Sequence, residues 1–578
     1  MAGSSKVADG VLETDVLVLG SGGAGARAAI AADDAGVKVL VVDRGVFTRS
    51  GATITGGHTC CAALAPDDSP ELHMKDIISG GHFVSNQRLV EVYTREARDR
   101  VVEVDKWGAN FIKKGEEFQL ISPPGGHSRT RSVHCGWMTG QAIMRGLRNE
   151  LGRRKIERKD DFLVTSLLTA GKRVAGVTGL DLYNGDFVVI KAKATVLATG
   201  GGGQIFQHTT NPLEASGDGF SLGYRAGAEL VDMEFVQFIT KQTTPEVRHI
   251  NVTFVMFPRW RKGIREGGGK LVNVNGEDFL PRYDPTRGLY TTRDMLSIAS
   301  LKEILAGRGP ISLDLREVPD EVIRREFDES LPGSYLPKLR KEGFDLSKSM
   351  IEVIPASHYF MGGLKINESA ETSLPSLYAA GEVTGGIDGA NRLGGNALTE
   401  ILVFGRIAGN SAAAYARSHE MPRINQEQVA AERRNVMKHT KSSREASKSP
   451  IAIRKELQNT MWNKAGVLRT KEGLNETLTL IQRIRNKDLP KMGLSSTTKL
   501  YNTELVEAII LPKMLDVAEM VARAALLRIE SRGAHYRVDY PNKDDKRWLK
   551  NITIRFESGK MTLRASPVEM TKLAPEAR

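Results

Sequence analysis

The segment from residue 15 to residue 43 constrains the fold more than any other part of the chain. Apolar residues 16–19 predict a strand, and the turn Gly20-x-Gly22-x-x-Gly25 follows at once, ahead of an alanine-rich helix. A second apolar run, 37–42, leads to Asp43. Glycines at this spacing admit a pyrophosphate to the helix N-terminus, and the terminal acid bonds ribose hydroxyls. Because every part of the unit is in place, the segment predicts a dinucleotide site in an α/β fold.

Two further stretches indicate which dinucleotide is bound. Residues 194–203 form an apolar strand pattern that ends in four glycines, far along the chain from the first glycine turn. Residues 44–57 are rich in glycine, serine and threonine and predict a loop around the pyrophosphate and ring. The layout resembles flavoproteins with two dinucleotide-binding domains, in which an alanine-threonine-glycine strand returns to the FAD. We therefore expect FAD rather than NAD.

Two glycine-rich loops predict an anion site beside the cofactor. His358 lies in the segment 357–363 and Arg392 in the segment 388–398, and a short apolar run between them ends at Gly381-Glu382. Glycine lets the backbone approach a ligand closely, and a guanidinium on such a loop clamps a carboxylate or phosphate. With the turn at Gly381-Glu382, three segments close together in the chain are expected to face a ligand, which indicates an active site.

Length and composition narrow the class of protein. At 578 residues the chain needs two to four domains. No apolar run approaches about 18 residues, no secretory signal is visible, and three cysteines are too few for a disulfide framework or a four-cysteine cluster. We expect a cytoplasmic protein with no metal site. The net charge of +12 fits a solvated basic surface. Alternatively, the charge steers anionic substrates, or it helps the protein bind an acidic partner or a membrane face. The sequence contains no nucleic-acid-binding motif.

Taken together, the motifs from about Asp15 to Trp548 resemble the flavoprotein subunit family of succinate dehydrogenase, fumarate reductase and L-aspartate oxidase. The motifs that carry the resemblance are Ala198-Thr-Gly-Gly-Gly-Gly203, Gly217-Asp-Gly219, Met233-Glu-Phe235, Thr292-Arg-Asp294, His358-Tyr-Phe-Met-Gly-Gly363, Gly381-Glu382, Asn391-Arg-Leu-Gly-Gly395 and Glu530-Ser-Arg-Gly-Ala-His535.

The resemblance implies a domain layout. A split Rossmann-like FAD-binding domain covers 1–238 and 353–425, and an α+β capping domain covers 239–352. A helical domain follows at 426–540, and 541–578 form a charged, turn-prone tail. An iron–sulfur subunit is the implied electron-transfer partner, and the protein is expected to lie on the inner face of the cell membrane through partner subunits.

The resemblance also implies a reaction, in which hydride moves between flavin N5 and a bond next to a carboxylate. His358 and Arg392 would bind one carboxylate of the substrate, and Arg293 would donate the proton. An arginine has a pKa above about 12, so it needs a proton relay, to which Arg265 would belong. The alternatives are a structural ion pair of Arg293 with Asp294 or Glu303, and a buried core position for His358.

The chain departs from the family pattern where the second carboxylate would bind. Ile239 stands where family members have a histidine, Arg261 where they have a carboxylate-binding threonine, and Lys262 where they have a relay glutamate. Glu266 is a candidate substitute for that glutamate, and Arg261 is expected to contact the substrate. Two rivals therefore stay open: an enzyme of the same fold acting on another enoate, an acyl-CoA-like substrate or an amino acid, and an electron-transfer flavin module without turnover.

The expected cofactor is non-covalent FAD, because Gly51 stands where many family members carry the histidine that attaches to the flavin. His58 is the alternative attachment point. The residues expected to bind FAD are Gly20, Gly22, Gly23, Ala24, Gly25, Asp43, Arg44, Ser50, Gly51, Ala52, Gly56, Gly57, Thr199, Gly200, Asp218, Glu382, Asn396, Ala397 and Leu398.

Overall fold

The computed structural model describes residues 7–57, 59–121, 125–136, 138–243, 266–286, 288, 291–328, 340–341, 343–440 and 448–575. His58, Arg261, Lys262 and Arg265, which carried sequence predictions, lie outside these residues. No helix within the described part is long and apolar enough to cross a membrane.

A seven-stranded sheet forms the centre of the fold. Its strands are β1 (Gly10–Leu19), β2 (Val39–Val42), β7 (Glu157–Lys159), β8 (Phe162–Ala170), β9 (Arg173–Asp181), β10 (Phe187–Leu197) and β17 (Leu377–Ala379). The order is β7-β2-β1-β10-β9-β8, with β17 also paired to β10. The predicted first strand and the strand before the second glycine block therefore lie side by side in the middle of the sheet, where both faces are buried and continuous apolar runs are expected.

The register of this sheet decides where a ligand can bind. Leu19 pairs in parallel with Val42 and with Leu197, and Leu197 pairs in parallel with Ala379. Four strands thus end at one edge, and the chain segments that leave them begin there together. Open α/β sheets bind ligands at this carboxyl edge.

Helices α1 (Gly23–Asp34), α5 (Asp218–Ala226) and α9 (Asn396–Ser418) pack on the sheet, and α2 (Pro70–Gly80), α3 (Gln87–Val104) and α4 (Thr139–Gly152) pack on other helices. Helix α9 packs closely on α1, since a Cβ at Gly409 would lie 2.2 Å from the carbonyl oxygen of Ala28. Glycine at this position permits the contact of two helix backbones.

A four-stranded antiparallel sheet lies within and beside the predicted capping domain. It consists of β12 (Val236–Gln242), β13 (Lys270–Val272), β14 (Ile311–Asp314) and β15 (Ile351–Phe360), in the order β12-β15-β14-β13. The helices here are α6 (Leu280–Tyr283), α7 (Arg293–Glu303) and α8 (Asp320–Asp328). Strand β12 contains the predicted domain boundary at 238, and β15 contains the one at 353. Because the two strands pair with each other, both boundaries fall inside one sheet.

The C-terminal part is mainly helical, with α10 (Gln426–Met437), α11 (Pro450–Ala465), α12 (Lys471–Arg483), α13 (Thr503–Leu527) and α14 (Asp545–Trp548). The remaining short strands are β3 (Cys60–Cys61), β4 (Lys113–Lys114), β5 (Glu117–Phe118), β6 (Ser132–Val133), β11 (Leu230–Val231), β16 (Gly363–Lys365), β18 (Thr384–Gly385), β19 (Leu468–Arg469) and β20 (Tyr536–Arg537).

The prediction of a charged, turn-prone tail after residue 541 is wrong for residues 550–567. Strands β21 (Lys550–Glu557) and β22 (Lys560–Pro567) form a hairpin, and β21 pairs with β11. Ile552 and Ile554 are fully buried while the residues between and beside them are not, which is the period-two pattern of a half-buried strand. The abundance of charged residues concealed that pattern in the sequence.

Candidate active site

A cavity of about 510 Å³ opens at the carboxyl edge of the central sheet. It is lined by Gly20, Asp43, Ala198 and Ala380, which directly follow β1, β2, β10 and β17. All but two of the predicted cofactor residues line it: Gly20, Gly22, Gly23, Ala24, Asp43, Arg44, Ser50, Gly51, Ala52, Gly56, Gly57, Thr199, Gly200, Asp218, Glu382, Ala397 and Leu398. The two glycine blocks of the sequence thus face one space.

The two exceptions, Gly25 and Asn396, do not line this cavity. A Cβ at Gly25 would lie 1.9 Å from the carbonyl oxygen of Gly20, so this glycine lets the helix start close against the preceding turn. Asn396 is buried, and its Oδ1 lies 3.1 Å from His73 Nε2 and 3.3 Å from the hydroxyl of Tyr93. Both residues support the walls rather than face the space.

The cavity walls suit a dinucleotide. Gly51 and Gly200 have left-handed backbones (φ +84° and +75°), and a Cβ on either would meet no atom of the described residues within 4 Å. Glycine at such points leaves room for a phosphate against the backbone. Thr199 Oγ1 is buried and has no hydrogen-bond partner within the described chain, so it is available to a polar group in the cavity.

Asp43 fastens the loop that follows it. One carboxylate oxygen accepts hydrogen bonds from the backbone and hydroxyl of Ser21, both at 2.6 Å, and the other accepts from Gly45 N at 2.8 Å and Ser50 Oγ at 3.0 Å. The acid therefore shapes the 44–57 loop, in addition to facing the space where a ribose was predicted.

Glu382 is buried on the opposite wall. Its Oε1 accepts a hydrogen bond from Phe360 N at 3.0 Å. Burial raises the pKa of Glu382 to about 7, against the lowering effects of that hydrogen bond and of Arg392. A carboxyl group in this state can accept or donate a hydrogen bond to a sugar hydroxyl near neutral pH.

The three residues predicted to handle the substrate line the same cavity: Arg293, His358 and Arg392. Arg293 is the first residue of α7, so it reaches the cavity from the capping side, while Arg392 lies on the loop before α9. The structure therefore brings together groups that are separated by up to 99 positions in sequence (392 minus 293).

One side chain contacts both arginines. Oε1 of Gln237 accepts hydrogen bonds from Arg293 Nη1 at 3.3 Å and from Arg392 Nη2 at 3.2 Å. Its Nε2 donates to Asn391 Oδ1 and to the backbone oxygen of Arg392, both at 2.9 Å. Gln237 carried no sequence prediction of its own, although it lies two residues before Ile239, where the chain departs from the family pattern.

Arg392 is held on its other side by an aromatic ring. Its guanidinium carbon lies 4.2 Å from the centroid of the Tyr359 ring, and the Tyr359 hydroxyl donates to Glu400 Oε2 at 3.2 Å. Arg392 Nε is buried and lacks a hydrogen-bond partner among the residues described. A buried donor of this kind favours binding of an anion.

Buried carboxyl groups surround this arginine. Burial raises the pKa of Asp388 to about 7 and that of Glu400 well above its ordinary value, and the nearby Arg392 opposes both shifts. Asp388 also raises the pKa of Glu400, so burial and mutual repulsion both favour the neutral forms of these two carboxyl groups. A neutral carboxyl group leaves more of the positive field of Arg392 for an incoming anion.

His358 is uncharged in this environment. Burial, followed by the positive charges of Arg392 and Arg293, holds the pKa of His358 well below its usual range. Its Nδ1 lies 2.7 Å from Thr210 Oγ1, and Asn211 Nδ2 donates to its backbone oxygen at 2.9 Å. If the Thr210 hydroxyl donates to Nδ1, the ring proton lies on Nε2, where it can be donated to an anion.

The far end of the site differs from the family pattern. Ile239 is fully buried in the hydrophobic core of the capping region, together with Leu271 and Leu296, and Glu266 is exposed. Lys241 donates to the backbone oxygen of Thr209 at 2.6 Å. Neither Ile239 nor Lys241 lines the cavity.

Several other residues that line the cavity carried no sequence prediction, namely Gln141, Thr210, Asn211 and Tyr359, whereas Thr53 and Gly201 lie within the predicted loop and glycine block. Tyr359 follows His358 directly, and the alternation of a strand would ordinarily place it on the opposite face. A register shift between Gln237 and Phe238 in the pairing of β12 with β15 is not visible in sequence.

Comparisons with known proteins agree with this site. The FAD binding domain family matches residues 15–398, and the fumarate reductase flavoprotein C-terminal family matches residues 454–578. A fumarate reductase (CoM/CoB) subunit from Methanothermobacter marburgensis is 37% identical over 559 residues, covering 94% of this chain and 97% of the relative. The fumarate reductase flavoprotein subunit of Mycobacterium tuberculosis is 34% identical, over 98% of both chains.

A mutant of the E. coli quinol fumarate reductase FrdA superposes with a TM-score of 0.88 at 29% identity, covering 98% of this chain and 99% of the other. The fold and the cavity define an FAD-dependent oxidoreductase. Within that class, the chain belongs to the flavoprotein subunit family of fumarate reductase and succinate dehydrogenase. The predicted fold class and the prediction of FAD are thereby confirmed.

Proposed function

We propose that this flavoprotein subunit reduces the carbon–carbon double bond of a small unsaturated carboxylate, with fumarate as the first candidate. The observation that carries the proposal is that Arg293, His358 and Arg392 line the cavity that the FAD-binding glycines also line. Bound FAD supplies the hydride chemistry of such a reaction.

The protein groups have separate tasks in this proposal. Arg392 and neutral His358 hold one carboxylate, the first by charge and the second through a proton on Nε2. Their hydrogen bonds strengthen as negative charge develops on that carboxylate, which lowers the barrier to reduction. Arg293, which approaches from the capping side, delivers the proton, and Arg265 passes it a replacement.

The direction and the cofactor linkage are also proposals. Gly51 lines the cavity and offers no side chain for attachment, which supports non-covalent FAD. Covalent attachment usually raises the potential of the flavin in this family, so its absence favours reduction of the substrate over oxidation of succinate.

Electrons would reach the flavin through a partner. We propose an iron–sulfur subunit, and placement at the inner face of the membrane through such partners. Relatives are named as subunits, and one is a fumarate reductase (CoM/CoB), so a thiol donor is a candidate source beside a quinol. The net charge of +12 suits an acidic partner surface.

A second candidate is the same chemistry on a different acid. It is favoured by Ile239, whose burial in the capping core removes a polar contact for the second carboxylate. Arg261 is proposed to contact that end of the substrate instead, which would suit an anion of another shape.

A substrate panel distinguishes these possibilities. The purified holoprotein is supplied with reduced viologen dye under anaerobic conditions, and dye oxidation is followed with fumarate, other enoates, acyl-CoA thioesters and imino acids. Turnover with fumarate supports the first proposal. Turnover with another acid alone supports the second, and dye oxidation with none of them contradicts both.

A further inference from the structure

The side chain of Gln237 lies between the two arginines of the site. It is fully buried on β12, does not line the cavity, and contacts Arg293 and Arg392 through a single oxygen. We propose that Gln237 is a positioning residue that fixes the proton-delivering arginine relative to the carboxylate-binding arginine. The inference rests on the roles proposed above for those two arginines.

The backbone around Gln237 directs this side chain toward Arg293 and Arg392. Gln237 pairs with Tyr359, Phe238 pairs with Ser357, and the register shifts between the two pairs. Phe238 packs edge-on against Phe206, with ring centroids 5.3 Å apart, so it is buried in the core. An irregularity of this kind re-aims a side chain next to a functional site.

The orientation of the amide is determined by its neighbours. Oε1 faces two guanidinium groups, which can only donate, and Nε2 faces Asn391 Oδ1 and the Arg392 backbone oxygen, of which the latter can only accept. If the amide were flipped, its NH₂ group would face both guanidinium groups, and donors would face donors. Gln237 therefore has one satisfied arrangement, and this arrangement holds both arginines at once.

The contact matters because two guanidinium groups repel each other. Both groups are positively charged and contact the same oxygen, so without that oxygen between them they would repel each other. The carbonyl dipole of Gln237 attracts both and sets their separation. Since Arg392 lies on the loop before α9 and Arg293 begins α7 of the capping region, Gln237 also fixes the two parts of the site relative to each other.

The proposal predicts an effect on turnover that exceeds the effect on binding. Arg392 keeps its contact with Tyr359 when Gln237 is replaced, so it still binds a carboxylate. Arg293 loses a hydrogen bond that aims it, and misplacement of a catalytic group by about 1 Å lowers a rate about 100-fold. The separation of kcat from ligand affinity therefore distinguishes positioning from substrate binding.

The test uses the FAD-loaded protein and three variants. Gln237→Met keeps the volume of the side chain and removes the amide. Gln237→Glu keeps an oxygen acceptor between the arginines. Thr240→Val is the matched control, since Thr240 is buried on the same strand and its hydroxyl has no hydrogen-bond partner in the described structure. For each protein we measure kcat with the acid that the wild type reduces, and the Kd of malonate from the change in flavin absorbance.

We expect Gln237→Met to lower kcat about 10- to 100-fold while the Kd of malonate changes less than about threefold. Gln237→Glu should retain more of kcat than Gln237→Met but bind malonate more weakly, because the added negative charge opposes the anion. Thr240→Val should match the wild type. If Gln237→Met fails to retain FAD, Gln237→Asn, which keeps the amide on a side chain one methylene shorter, takes its place with the same expected loss of kcat and unchanged Kd.

A kcat of Gln237→Met within twofold of the wild type would overturn the inference. A rise in Kd that accounts for the whole loss, or an equal loss in Thr240→Val, would also overturn it. These outcomes differ from failure of the proposed function, in which the wild-type holoprotein itself reduces no unsaturated acid.

Discussion

Thr210 and His358 form a hydrogen bond of 2.7 Å between the threonine hydroxyl and Nδ1 of the imidazole. The same hydroxyl lies 3.4 Å from the backbone oxygen of Ser357, to which it can also donate. The pKa of His358 lies well below its usual range, so the ring carries one proton. We propose that the threonine donates its single proton to Nδ1, which places the ring proton on Nε2; donation to Ser357 would instead leave the ring proton on Nδ1.

Replacement of Thr210 by valine should therefore weaken anion binding. In that arrangement the variant keeps the shape of the side chain but loses the hydroxyl that fixes the ring proton on Nε2, and the loss of one neutral hydrogen bond corresponds to about 1 kcal/mol, or roughly fivefold in Kd. Titration of the oxidised holoprotein with malonate measures this. Ser300→Ala, which removes a buried hydroxyl without a partner in the described residues, should leave Kd unchanged. Equal affinities of Thr210→Val and wild type would contradict the assignment.

The aromatic support of Arg392 should appear in the affinity for substrate. Tyr359→Leu removes the ring 4.2 Å from the guanidinium carbon, and a desolvated cation–π contact contributes about 2 kcal/mol. KM should rise by at least about 10-fold. Tyr359→Phe keeps the ring and loses only the hydroxyl that donates to Glu400, so its KM should stay within about threefold. Similar values of KM for the two variants would contradict the claim that the Tyr359 ring supports carboxylate binding by Arg392.

His127 should make stability depend on pH. Burial, together with Arg131, lowers the pKa of His127 to about 3, against the raising effect of its hydrogen bond to Gly394 O. Below about pH 6.5 the unfolded chain therefore binds a proton that the folded state does not. The free energy of unfolding should fall by about 1.4 kcal/mol per pH unit from this histidine alone as the pH decreases below 6.5.

Comparison with His127→Gln isolates this contribution, because buried carboxyl groups with raised pKa, such as Asp388, shift stability in the opposite direction over the same range. Urea denaturation at pH 7.5, 6 and 5 gives both curves. The advantage of wild type over the variant should shrink as the pH falls, and a constant or growing difference would contradict the neutral state of His127.

Gly200 should be required for cofactor binding rather than for folding. Gly200→Ala places a methyl group in the cavity, whereas Gly171→Ala places one at a turn between β8 and β9 with equally open surroundings and a similar φ of +63°. Each substitution strains the backbone by about 1 kcal/mol. Only Gly200→Ala should purify with little FAD, measured as the amount of flavin per protein that acid precipitation releases into the supernatant. Flavin that stays with the precipitated wild-type protein would contradict non-covalent binding.

Structure formed by contiguous residues was predictable from the sequence, whereas contacts between segments far apart in the chain were not. The turn at Gly20 and the acid at Asp43 belong to one contiguous unit, so their spacing predicts a shared edge of the sheet. The hairpin of β21 and β22 pairs with β11, about 320 positions earlier in the chain, and no local pattern indicates that partner. For the same reason the sequence indicates that Arg392 binds an anion but not that Gln237 holds it beside Arg293.

Single-turnover reoxidation of the flavin tests the central claim most directly. The holoprotein is reduced by dithionite under anaerobic conditions and mixed with fumarate, and the return of flavin absorbance is followed together with the succinate formed. Wild type should reoxidise and form one succinate per flavin, while Arg293→Ala should keep its FAD and react at least about 100-fold more slowly. Flavin that stays reduced in wild type with fumarate, or equal rates for the two proteins, would contradict the account.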